Sequence, residues 1–187
     1  SKLKYSDNSN WLPMGPAIVP LDTEGIPSGL GRINCVAFHP SDPNIIYTGS
    51  PSGGFWKSVN GGTSWSTTTD ELPSIGISDI VINPKNPNII YIATGDGDAS
   101  DTYTIGILKS IDAGATWNTT GLSYKTSDNR VIRKLLINPL NPDTIIVASS
   151  SGIYWSGNAG NNWTQVQSGN FKDIEFLHPP DVFMGSF

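Results

Sequence analysis

Charge is scarce in this 187-residue chain: only 14% of its residues are Asp, Glu, Lys or Arg, well under the roughly 25% usual for soluble domains. Lys and Arg total 11 with no basic run, and the net charge is -5, so no stripe for phosphates exists and nucleic acid is excluded as a partner. No apolar segment approaches the ~20 residues of a membrane-spanning helix. A single cysteine, Cys35, rules out an internal disulfide. Its apolar surroundings favour a buried, inert thiol. Helical periodicity is missing as well. What the chain has is Gly, Pro, Ser, Thr and Asn punctuating short apolar runs, and those runs repeat.

One stretch, Gly54 to Trp65, returns as Gly106 to Trp117 and as Gly152 to Trp163. Its turn residues are Ser58, Asn60, Gly62 and Trp65; Ser110, Asp112, Gly114 and Trp117; and Ser156, Asn158, Gly160 and Trp163. All fit S-x-[D/N]-x-G-x-[S/T/N]-W. The Asp or Asn can accept backbone N–H bonds, the Gly supplies a positive φ, and the Trp fastens the hairpin to its sheet. Asn keeps the acceptor oxygen that Asp offers, so the turn should survive that exchange.

Alignment on a shared proline lengthens the repeat. Ile33 to Pro40, Ile77 to Pro84 and Ile132 to Pro139 read as first strands, each followed by a second proline (Pro43, Pro87, Pro142) and a second apolar run. His39 and His178 stand where other units have Asn83 and Asn138, which indicates turn hydrogen bonding. Each unit thus predicts four strands, the first two apolar on both faces as sheets covered by neighbours are. Units of this length fit propeller blades, which stack radially because none can bury its faces alone.

The expected fold is therefore all-β, a β-propeller of four-stranded antiparallel blades. Residues 1–31 read as an N-terminal extension and loop. Blades follow at about 32–75, 76–130 and 131–170, with a partial one at 171–187. Three units and a half leave apolar faces bare at both ends, and Phe187 falls within a strand, so the chain is expected to continue in a longer polypeptide or to be completed by other subunits. Ile174, Phe176 and Val182 should meet the preceding blade.

The triple motif resembles the Asp-box, or BNR repeat, of sialidase, xyloglucan hydrolase and sortilin propellers. The opening Trp11 to Pro16 followed by these repeats resembles large secreted Bacteroidetes proteins exported by the type IX route. That resemblance implies an extracellular or cell-surface protein and does not fix a reaction. Strand parity puts the Asp-boxes on one face, and the resemblance implies that ligands sit on the other. Candidates there are Asp70, Glu71, Asp96, Asp98, Asp101, Tyr103, Tyr124, Asp128 and Arg130, with Lys125 beside them.

No catalytic residue is assigned. A glycosidase needs two carboxylates ~5 to 9.5 Å apart, and this face has acids enough. The xyloglucan hydrolases carry a catalytic Asp in Y-A-x-T-D-x-G-G, however, and Pro51 stands at that place in the matching stretch Tyr47 to Gly54. Arg32 and Ile33 match the start of the sialidase Arg-Ile-Pro motif, but Asn34 replaces its proline, and Arg32 reads as a strand-end residue bonding loop carbonyls. Asp96, Asp98 and Asp101 could attract Ca²⁺, yet they do not fit the D-x-[D/N]-x-[D/N]-G loop. A solvated acidic loop turning on Gly95 and Gly97 is the plainer expectation, with no cofactor or metal. The function expected is a binding or structural scaffold, with polysaccharide as a candidate ligand. The alternative is a glycoside hydrolase with part of its active site outside these residues.

Overall fold

The computed structural model describes residues 31–98, 102–178 and 181–186, with backbone alone at 177, 178 and 181–186. The chain divides between Gly31 and Arg32. From Arg32 onward it forms three four-stranded antiparallel sheets and one two-stranded sheet. The first holds β1 (Cys35–Phe38), β2 (Ile46–Ser50), β3 (Gly54–Ser58) and β4 (Ser66–Thr67), in that spatial order. The second holds β5 (Ile77–Ile82), β6 (Ile90–Thr94), β7 (Gly106–Ser110) and β8 (Asn118–Ser123), and the third β9 (Ile132–Ile137), β10 (Ile145–Ser149), β11 (Gly152–Ser156) and β12 (Thr164–Ser168). β13 (Asp173–His178) pairs with β14 (Asp181–Ser186). Among the described residues the one helical turn is the 3₁₀ segment Thr126–Asp128. No described helix is long and apolar enough to cross a membrane.

The prolines after the first strands shape turns by one shared device. Nδ1 of His39 accepts from the N–H groups of Ser41 and Asp42 (3.3 and 3.1 Å), as Oδ1 of Asn83 accepts from Lys85 and Asn86 (2.9 and 3.0 Å) and Oδ1 of Asn138 from Leu140 and Asn141 (2.9 and 3.2 Å). Imidazole and amide are interchangeable here because each offers one acceptor at the same reach.

Packing runs from sheet to sheet. Tyr47 and Phe55 of the first meet Ile77, Ile80, Ile92 and Leu108 of the second; Tyr91 and Ile107 of the second meet Ile132, Leu135 and Val147 of the third. Ile146, Ala148 and Ile153 meet Ile174, with Phe176 packed alongside, as the repeat predicts; the side chain of Val182 lies outside the described residues. The second and third sheets thus each turn one apolar face to their successor and the other to their predecessor. The first sheet has no predecessor among the described residues, and its residues record that. Ile33 is 50% exposed, whereas its equivalents Ile77, Ile132 and Phe171 are 0%, 0% and 3% exposed. Val36 is 53% exposed against 5%, 1% and 2% for Ile80, Leu135 and Ile174. The strand alternation is the same in all four units; the neighbour decides whether it is buried.

Candidate functional site

The three Ser-x-Asx-x-Gly hairpins join the third strand of each sheet to the fourth. Oγ of Ser58, Ser110 and Ser156 donates to the Asx side chain two residues on (3.0, 2.7 and 3.1 Å) and accepts the glycine N–H (2.8, 2.8 and 3.0 Å). That Asx oxygen accepts the N–H of Ser64, Thr116 or Asn162 in turn (2.9, 2.8 and 2.9 Å). Gly62, Gly114 and Gly160 hold φ of +87°, +87° and +83°, the left-handed region glycine reaches without strain. The Ser and Asx side chains of these turns thus bond within the turn itself. Preceding sheets clip them further: Lys57 Nζ donates to the Ala113 carbonyl (2.9 Å) and Lys109 Nζ to that of Ala159 (3.2 Å). Trp117 meets Phe55 edge-on at 4.9 Å, while Trp65, with no preceding sheet described, is 39% exposed.

The opposite end differs. There the inner strands β1, β5 and β9 begin, and the segment leading into β13 ends. A half-open recess of about 290 Å³ is lined by Asn34, Ser78, Gly97, Asp98, Arg133 and Lys172. Four of these occupy one repeat position, the residue after Ile33, Ile77, Ile132 and Phe171. Two are placed by bulges. β5 pairs Ile77 with Thr94 and Asp79 with Ala93, leaving Ser78 over; β9 pairs Ile132 with Ser149 and Lys134 with Ala148, leaving Arg133 over. An extra residue in one strand bends it and re-aims a side chain. Arg133 is then fixed by three neutral acceptors: Nε donates to the Gly97 carbonyl (3.1 Å), and Nη1 to Asn170 Oδ1 (2.7 Å) and the Phe171 carbonyl (3.3 Å).

Behind the recess wall lies a buried polar layer. Asp96, 1% exposed, takes an ion pair from Arg32 and hydrogen bonds from Asn34 Nδ2 (3.3 Å) and the N–H of Asp98 (3.1 Å). The sequence suggested a solvated acidic loop here and an Arg32 bonded to carbonyls. Instead Arg32 reaches across to the second sheet and neutralises Asp96, which lets that carboxylate be buried. Asp79, next to Ser78, is also buried. Its Oδ1 accepts from Ile80 N–H (3.0 Å), its Oδ2 from Leu135 N–H on β9 (2.8 Å), and Lys134 Nζ stands 3.6 Å away. Burial pushes its carboxyl above the usual range against the pull of those donors. Burial first, then the Asp79 charge, raises the half-buried Cys35 thiol to about 12, which leaves it protonated and inert.

Of the candidates from sequence, Asp98 lines the recess and Asp96 lies behind it; Asp101 is outside the described residues. Asp70 and Glu71 sit exposed on the β4–β5 connection, Asp70 accepting from Thr67 (3.5 Å). Asp128 closes the 3₁₀ turn by accepting the Lys125 N–H (2.9 Å), and Arg130 follows it, exposed. Tyr103 is half-buried, its carbonyl held by Ser74 Oγ (3.1 Å). Tyr124 packs near Tyr154; burial, then that neighbour, pushes its phenol well above the ordinary value. None of these last six lines the recess. Among the described residues no three His, Cys, Asp or Glu side chains gather as a metal set. Ser78, Arg133 and Lys172 were not singled out from sequence as recess residues. Their signal is a polar residue at the second place of each aligned unit, directly after a buried apolar one.

Comparison with known proteins gives a consistent picture. The profile of the Sortilin-Vps10 family, described as "Sortilin, neurotensin receptor 3", matches residues 53–183. A xyloglucanase of Hypocrea jecorina is 28% identical over 153 residues, covering 75% of this chain and 18% of that protein. A xyloglucanase of a Paenibacillus species is 29% identical over 154 residues, covering 75% and 15%. Among solved structures, an ancestral GH74 enzyme superposes with a TM-score of 0.62 at 26% identity, covering 72% of this chain and 18% of that one. The chain spans less than a fifth of the length of the curated relatives it matches.

Proposed function

This chain belongs to the Sortilin-Vps10 family, and on that premise we propose that it is part of a secreted or cell-surface β-propeller protein that binds polysaccharide as a scaffold, with the recess at the inner-strand starts as the ligand seat. The observation that carries this reading is the recess itself: successive inner strands contribute the same repeat position to one polar hollow, two of them through bulges. Concave sites of this kind, with a few convergent polar groups, are where ligands settle. The names of the curated relatives point to plant-type glucans as the first ligands to try. In this reading a further blade of the same repeat covers Ile33, Val36 and Trp65, because the equivalent positions of the later units are covered by a blade. The relatives' greater length supplies room for such blades.

Affinity electrophoresis of the protein through gels containing xyloglucan, or an acidic or neutral β-glucan, tests the reading. Retardation by at least one of them is expected, and free migration through all would overturn it. A second reading, glycoside hydrolysis with catalytic carboxylates contributed from outside these residues, is favoured by the enzymatic names of the same relatives. Release of reducing ends from xyloglucan by the full polypeptide would establish it and overturn the scaffold.

A further inference from the structure

Resting on the polysaccharide-binding reading, we propose that the recess selects sugars bearing a carboxylate, with Arg133 and Lys172 as the seat of that group and a uronic-acid residue as the ligand unit. Two cations and one carboxylate, Asp98, face the hollow. Among the described residues the ion pairs are Arg32 with Asp96 and Lys134 with Asp79, so neither Arg133 nor Lys172 is ion-paired to a described carboxylate. Arg133 spends its three hydrogen bonds on neutral oxygens, which fixes the guanidinium without cancelling its charge. The two N–H groups left over, both on Nη2, can donate charge-assisted hydrogen bonds to a ligand carboxylate, and the half-enclosed site strengthens that pair. Asp96, behind the recess wall, is buried and paired with Arg32, which leaves Asp98 as the acid among the described lining residues.

Size and polarity agree with this ligand. About 290 Å³ sits at the small end of ligand pockets and suits one sugar ring. Asn34, Ser78 and the Asp98 carboxylate offer partners for its hydroxyls. Among the lining residues there is no aromatic ring of the kind on which the apolar face of a neutral sugar would lie.

Titration calorimetry of the protein with trigalacturonate and with a neutral xyloglucan heptasaccharide, each at low and high salt, tests the proposal. Trigalacturonate should bind the tighter, and its affinity should fall as salt screens the pair. Arg133→Gln should weaken it roughly ten- to a hundredfold, as loss of a charge-assisted bond does. Because Arg133 also ties Gly97 to the approach to β13, Lys172→Gln on an exposed side chain is the second variant; it should weaken trigalacturonate about threefold with unchanged melting. Equal, salt-independent binding of both sugars, untouched by either variant, would overturn carboxylate selection and leave the polysaccharide reading standing. Failure of trigalacturonate to bind would overturn carboxylate selection, and free migration through every polysaccharide gel besides would overturn both.

Discussion

At the hairpin end of the sheets three turns make the same hydrogen bonds within a few tenths of an ångström, whether the acceptor is Asn60, Asp112 or Asn158. At the other end the residues that share one repeat position are Asn34, Ser78, Arg133 and Lys172, an amide, a hydroxyl and two cations. Repetition at the first end serves each blade locally, since the Ser and Asx side chains there bond within their own turn. Variation at the second end makes sense only if the four strands are read together, around a space none of them closes alone. The contrast separates residues that hold blades from residues that line the recess, and substitutions should separate in the same way.

The largest effect is expected at the hairpins. Gly114 and Gly62 share a φ of +87°, and alanine in that region costs about 1–2 kcal/mol. A Cβ on Gly114 would also stand 2.9 Å from the Phe55 ring, whereas on Gly62 the nearest atom is 3.7 Å away on Trp65. Gly114→Ala should therefore lower stability in urea by more than about 2 kcal/mol and Gly62→Ala by only about 1–2 kcal/mol. Equal losses would show that the preceding sheet does not press on the second hairpin.

Asp79 breaks the simple division, because it lies beside the recess and yet joins two blades. Asp79→Ala leaves the buried Leu135 N–H without its acceptor and should cost about 1–3 kcal/mol, measured by the same unfolding curves. Asp173, its equivalent in β13, is exposed and, among the described residues, accepts the neighbouring Ile174 N–H alone (2.9 Å). Alanine there should change stability by less than about 0.5 kcal/mol.

The smallest effect distinguishes one hairpin from the other two. The Thr116 hydroxyl first, then its N–H and the Ser110 hydroxyl, hold the Asp112 carboxyl at about 2, below its ordinary 3.8. A carboxyl depressed by folding stabilises the fold above its unfolded value and loses that contribution as pH falls through its folded value. The second hairpin should loosen between about pH 4 and about pH 2, seen as a shift of the Thr116 amide resonance. The Asn60 and Asn158 hairpins should not follow, and Asp112→Asn should abolish the step.

Most of the fold was legible in the sequence because a repeat announces itself. Strand order, the hairpins, the shared turn of His39 and Asn83, and the pairing of Ile174 with the blade before it all follow from aligning one unit on another. The recess was not legible in the same way. In sequence Ser78 and Arg133 are ordinary polar residues inside apolar strands, and only the bulges show where they are aimed. The ion pair of Arg32 with Asp96 spans two sheets, and no local pattern encodes a contact at that separation. Parity of the strands put Asp98 at the end that holds the recess but spread the remaining candidates over connections away from the hollow. The bareness of Val36 against the burial of Leu135 depends on a neighbour, which the residue itself cannot reveal.

The account turns on which end of the blades meets a ligand. A ¹H–¹⁵N correlation spectrum of the protein, recorded as trigalacturonate or xyloglucan oligosaccharide is added, answers that directly. The account predicts shifts concentrated at the amides of Asn34, Ser78, Gly97, Asp98, Arg133 and Lys172, with Gly62, Gly114 and Gly160 unmoved. Shifts centred on those three glycines and their hairpins would contradict it.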